Sequence, residues 1–157
     1  MARRRRATKR TLIADPKYNS ELVSRVINAL MISGKKTTAE RIVYGALAEI
    51  AEKTGKDPIE VLDGAINNMR PKVEVKSRRV GGTTYQVPVE IRPARQLAMA
   101  LRWMVQYASA RHGAGGMPKA VAVELMDAFG NQGNVIKKRD DTHKMAQANK
   151  AFAHYAW

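Results

Sequence analysis

Apolar residues recur every three or four positions over most of the chain and every second position over one stretch, 72–91, which predicts helices interrupted by one β-ribbon. After Asp15-Pro16, Ser20 has the chemistry of a helix cap, and Leu22, Val23, Val26, Ile27, Leu30 and Met31 form one stripe that ends at Gly34. Thr37 and Glu40 have the spacing of a capping box for a second helix, with Ile42, Val43, Ala46, Leu47 and Ile50 inward and Gly55 as its stop. Asp57-Pro58 opens a third, burying Val61, Leu62, Ala65, Ile66 and Met69 before Pro71.

The period then shortens. Val73 and Val75 alternate with Glu74 and Lys76, and Tyr85, Val87 and Val89 alternate with Gln86 and Glu90. Gly81-Gly82 supplies the positive-φ residues of a hairpin turn, and Pro88 suits an edge strand. A lone two-stranded ribbon is marginal in water, so this one must lean on the helices or on a ligand.

Pro93 starts a fourth helix with Leu97, Ala98, Leu101, Val105 and Ala108 inward and Arg95, Arg102 and Arg111 left for a ligand; Gly113-Ala114-Gly115-Gly116 ends it as a hinge. Trp103 and Tyr107, four apart, face together as packing residues. Pro118 opens a fifth helix with Val121, Ala122, Leu125, Met126 and Phe129 inward. The stretch 135–157 permits a helix but is polar, and a partner is expected to stabilise part of it. The expected fold is mainly α: one domain over 1–157 with about six helices, a protruding ribbon at 72–91, a flexible basic arm at 1–14, and a C-terminal helix and tail at 135–157.

Charge changes the picture from fold to partner. The 157 residues hold 28 Lys plus Arg against 14 Asp plus Glu, a net charge of +14, which points to a polyanion. With 45% hydrophobic residues the charge sits on a folded body. It is concentrated in three places: the arm with Arg3, Arg4, Arg5, Arg6, Lys9 and Arg10; the Lys35-Lys36 turn; and the ribbon and its flanks with Arg70, Lys72, Lys76, Arg78, Arg79, Arg92 and Arg95. Arginine forks match phosphate oxygens in pairs, and the glycines beside Arg78-Arg79 allow close approach to a phosphate backbone.

Catalytic chemistry is hard to place. The chain has no cysteine, so thiol nucleophiles, thiolate zinc sites and disulfides are excluded. His112, His143 and His154 are too scattered to share a metal, and Asp140-Asp141 are adjacent, so on a helix they diverge. Gly34-Lys35-Lys36-Thr37 lacks the first glycine and preceding strand of a phosphate loop. No cofactor is expected. No apolar run reaches the roughly 18–20 residues that span a bilayer, so no membrane contact is expected either, and the cytosol is the expected location. Three readings are open from the residues: an RNA scaffold, a DNA-bending architectural protein whose ribbon enters a minor groove, and a small RNA-modifying enzyme.

Several ordered blocks carry a resemblance. Asp15-Pro16-Lys17-Tyr18, the segment 28–36, 71–90 with Arg78-Arg79-Val80-Gly81-Gly82 and Tyr85-Gln86-Val87-Pro88, and the closing run from Lys137-Lys138-Arg139 to Ala153-His154-Tyr155 resemble the small-subunit ribosomal protein seven family, from about residue 15 to 157. The resemblance implies a helical domain with a β-ribbon arm that binds the 3′ major domain of small-subunit ribosomal RNA early in assembly and organises the head. It further implies that Arg3 to Arg10, Lys35, Lys36, Arg92 and Arg95 meet ribosomal RNA. The ribbon tip, Arg78, Arg79, Gly81, Gly82, Thr83 and Thr84, would point toward exit-site tRNA. The C-terminal helix would lie near the messenger exit path and protein eleven, with protein nine as another neighbour. Ala156, where relatives often carry Arg, and the loose Gly115-Gly116-Met117-Pro118 link depart from the pattern.

Overall fold

The computed structural model describes residues 10–113 and 115–155. Its elements run α1 (Glu21–Leu30), α2 (Lys36–Thr54), α3 (Pro58–Met69), β1 (Val73–Val80), β2 (Thr83–Glu90), α4 (Pro93–Arg111), α5 (Gly116–Phe129), α6 (Gly133–Ala148) and a closing 3-10 helix, Lys150–Tyr155. The mainly α fold with one antiparallel ribbon is the one the periodicity predicts.

Helix boundaries follow local chemistry where that chemistry is strong. Asp57 accepts a hydrogen bond from the Ile59 N–H and Pro58 fills the first turn of α3, as expected. Gly55 closes α2 in the left-handed region at φ 63°. Two other caps differ from expectation. Ser20 makes no side-chain cap bond, and α1 stops at Leu30, short of Gly34. The Thr37–Glu40 box does not form, because α2 begins two residues earlier, with Lys35 at the cap, and Glu40 pairs with Lys36 at 3.6 Å instead. The fifth helix likewise starts at Gly116, ahead of Pro118.

α5 is the helix around which the body is built, touching α2, α3, α4 and α6. Its Val121, Ala122 and Leu125 are fully enclosed with Val43, Ile50, Leu62, Ile66 and Met104. α3 comes close to it at Gly64, where an added Cβ would fall 2.7 Å from the Phe129 ring. Small residues on α3 and α5 thus set the helix spacing. Asn68 reinforces it by donating to the Ala128 and Phe129 carbonyls at the end of α5.

The ribbon pairs Val73 with Glu90 through Val80 with Thr83, and Gly81 and Gly82 turn at φ 57° and 90°. Directly opposite residues share a face, so Glu74, Lys76 and Arg78 lie on the same side as Val89, Val87 and Tyr85. Glu74, rather than the neighbouring valines, is the most enclosed residue of β1. The ribbon does lean on helices. Tyr85 meets Phe152 and Tyr155 with ring centroids 5.2 Å apart in each case, so the closing 3-10 helix is seated on β2. Tyr85 therefore serves as packing. The C-terminal segment is more internally held than its polarity suggests, with Val135, Ile136, Thr142 and Ala146 buried.

Candidate nucleic-acid interface

α4 leaves the ribbon directly, with Arg92 at its cap and Pro93 in its first turn, and then runs alongside α1. Between these helices lies a groove of ≈ 400 Å³ lined by Asn28, Ala29, Ala98, Leu101, Arg102 and Val105. A second hollow adds Arg25, Ala94 and Leu97 at the end nearer the ribbon. A third, on the other side of Asn28, is lined by residues 11–16 and Lys36. Asn28 borders all three, so hollows that are apolar between α1 and α4 and more polar beside residues 11–16 adjoin from the ribbon base to the segment that carries the N-terminal arm, with Arg25, Arg102 and Lys36 at their edges. Small apolar side chains keep the floor between the helices low, and Arg25, Arg92 and Arg102 are exposed above it. Such a surface can take phosphates at its rim and flat bases on its floor.

The arm enters this surface at a fixed point. Asp15, 2% exposed, accepts from the Lys17 and Tyr18 N–H groups and from the Tyr44 hydroxyl at 2.7 Å. That bond to a carboxylate, with burial, pushes the Tyr44 phenol up to about 12. Ser24 of α1 donates to the Ile13 carbonyl, holding the preceding residues along α1.

The predicted cations divide into groups. Arg10, Lys35, Lys36, Lys72, Arg78, Arg79, Arg92 and Arg102 are solvent-exposed, and Gly81, Gly82, Thr83 and Thr84 form an open ribbon tip. Arg95 differs: its guanidinium grips Glu74 with Nε at 3.0 Å from Oε1 and Nη2 at 2.9 Å from Oε2. That grip and burial act in opposite directions on the Glu74 carboxyl, and the Arg95 contact wins, holding it below the usual range. Lys76 sits 3.6 Å from the same carboxylate. Arg111, expected to be available to a ligand, is instead tied to Asp127 at 2.8 Å and to Glu124 at 3.2 Å. Glu124 is 1% exposed without a hydrogen bond to either oxygen, and burial pushes its carboxyl up despite Arg111. Arg70 is half-buried at the end of α3, its Nε without a hydrogen-bond partner. Arg3, Arg4, Arg5, Arg6, Lys9 and Ala156 lie outside the described residues. Sequence reasoning missed Arg25. Its only sequence signal is a solvent-side position on α1, and only the packing of α1 on α4 gives that position meaning.

The ribbon base is anchored from α6. His143 Nε2 accepts the Lys72 N–H at 3.0 Å, which requires the ring to be neutral at that nitrogen. Burial, helped by Arg139, holds this histidine below its ordinary 6.5. The folded chain therefore binds the proton less readily than the unfolded chain. Stability from this group is full above about 6.5 and is lost as pH falls toward the folded value. Urea titrations should show the parent losing about 1 kcal/mol more than His143→Gln between pH 7.5 and 5, the scale of one intramolecular hydrogen bond. Parallel pH profiles would contradict this.

Among the described residues no cluster of His, Asp and Glu could hold a metal, and no helix is long and apolar enough to cross a membrane. A helical body with a cationic ribbon, an arginine-rimmed groove and an ordered entry for a basic arm belongs to the class of nucleic-acid-binding scaffolds. Comparison with known sequences narrows the class. The family described as ribosomal protein S7p/S5e matches residues 2–150. Similar proteins include small ribosomal subunit protein uS7 of Methylococcus capsulatus, 54% identical, and those of Sorangium cellulosum, 57%, and Idiomarina loihiensis, 55%, each over the whole of both chains. The chain belongs to the S7p/S5e family of ribosomal proteins. It is accordingly a structural, RNA-binding constituent of the small ribosomal subunit, working in translation in the cytoplasm, and not an enzyme.

Proposed function

We propose that this chain, acting as a single domain, binds the 3′ major domain of small-subunit ribosomal RNA directly and early, and that the subunit head organises around it. The observation that carries this reading is the row of cation-edged hollows that adjoin at Asn28, from the ribbon base across α1 and α4 to the N-terminal segment. Its breadth suits an RNA junction read by shape, since no helix presents a row of base-reading side chains. The arm, from Arg3 to Arg10, meets the same RNA. The ribbon tip, Arg78 to Thr84, points toward exit-site tRNA, and the C-terminal helix faces the messenger exit path and protein eleven, with protein nine a further head neighbour.

Arg95 takes an indirect part in this reading. Clamped on Glu74, it fixes the ribbon against the start of α4 and presents its remaining N–H groups outward. The test is binding of the purified chain to a 3′ major domain fragment and to duplex DNA of equal length at one salt concentration. Preference for the RNA by a hundredfold or more is expected. Equal affinity would leave a generic polyanion binder with a DNA-bending ribbon.

A further inference from the structure

Two of the three large hydrophobic side chains most exposed among the described residues, Ile13 at 85% and Ile32 at 76%, lie in the segments that flank α1. Single exposed apolar residues are ordinary on protein surfaces, so the setting of Ile32 has to carry the argument. It follows the last turn of α1, one residue beyond the cap residue Met31, which packs on the core. The Lys35 N–H then bonds back to the Ile32 carbonyl at 3.1 Å, closing a tight turn over Ser33 and Gly34. Both turn residues have positive φ, 52° and 75°. Glycine adopts that conformation freely, but serine does so at a cost.

The turn therefore holds Ile32 away from the core and delivers Lys35 and Lys36 immediately after it, all three exposed. Lys36 borders the hollow shared with Asn28 and residues 11–16. An apolar tip that shares a tight turn with Lys35 and stands four residues ahead of Lys36 is placed as nucleic-acid binders place the aliphatic side chains they press against unstacked bases. Ribosomal RNA junctions and loops supply such bases, whereas regular A-form helices do not.

We infer that Ile32 is an apolar contact for an unstacked RNA base, held beside the phosphate contacts of Lys35 and Lys36. The inference rests on the RNA-binding reading above and names a residue and a kind of contact that reading does not contain. Apolar contact releases no counterions, so its loss must leave the salt dependence of binding unchanged, whereas loss of a phosphate contact must reduce it.

The experiment uses the full chain and a 3′ major domain RNA fragment, with affinity measured at several salt concentrations for the parent, Ile32→Ser, Ile32→Leu and Lys35→Ala. Ile32→Ser should bind roughly tenfold more weakly at every salt concentration, the scale of part of one buried aliphatic side chain. Its slope against salt and its melting temperature should match the parent's, since Ile32 is exposed. Ile32→Leu should bind like the parent, and Lys35→Ala should bind more weakly with the slope reduced by about one. Parent-like affinity of Ile32→Ser, or a slope reduced as in Lys35→Ala, overturns the inference while leaving RNA binding intact. A parent that fails to bind the RNA overturns the RNA reading and this inference together.

Discussion

Raising salt from 50 to 200 mM is expected to weaken binding of the 3′ major domain RNA by about 10³- to 10⁵-fold, the effect of releasing counterions from roughly 6 to 10 phosphates. The exposed cations on the described surface supply that number without the arm: Arg25, Lys35, Lys36, Lys72, Arg78, Arg79, Arg92 and Arg102. Arg111 should not contribute, because Asp127 and Glu124 already neutralise it. Arg102→Ala should lower the slope by about one while Arg111→Ala leaves it unchanged. Filter binding over a salt series measures both. A slope near zero for the parent would mean that phosphate contacts do not dominate.

The second large effect concerns stability. Ile66 in α3 has no exposed surface and belongs to the cluster around α5, so Ile66→Ala should cost about 2–5 kcal/mol through lost burial and the cavity left behind. Against a typical total of about 5–15 kcal/mol, that is enough to shift a urea midpoint far to the left. The same chemical change at Ile32 should leave the midpoint in place, because that side chain is three-quarters exposed. Equal midpoints for the two variants would show that the α3–α5 contact is not where the stability resides.

These expectations draw on features of unequal visibility in the sequence. Asp57-Pro58, Gly55 and Gly81-Gly82 act through their own backbone conformations, so the ends of α3 and α2 and the ribbon turn are legible in the residues themselves. The buried stripe of α3 is legible for a similar reason, since a single face repeats along one helix. The ribbon's enclosed face was not. Alternation shows that two faces differ but not which one meets the body, and Glu74 turns inward because Arg95, distant in sequence, is there to receive it. The ion pairs of Arg111 are hidden from the sequence for the same reason, as its partners come from another helix. In the candidate interface the charges were visible and the groove was not, because a groove belongs to the distance between α1 and α4. The arginine that only this packing reveals, Arg25, carries no local signature.

The closing 3-10 helix ties the last described residues of the chain to its middle. During synthesis Tyr85 leaves the translating ribosome long before Phe152 and Tyr155 exist, and the Lys72 N–H waits in the same way for His143. The helical body can begin to gather from its amino-terminal side as it emerges, and Arg95 can hold the ribbon base through Glu74, but the seat of Tyr85 is complete only when the final turn has been made. A nascent chain thus completes its aim last, and a copy that terminates early would present a folded body whose ribbon is held at its base by Arg95 alone.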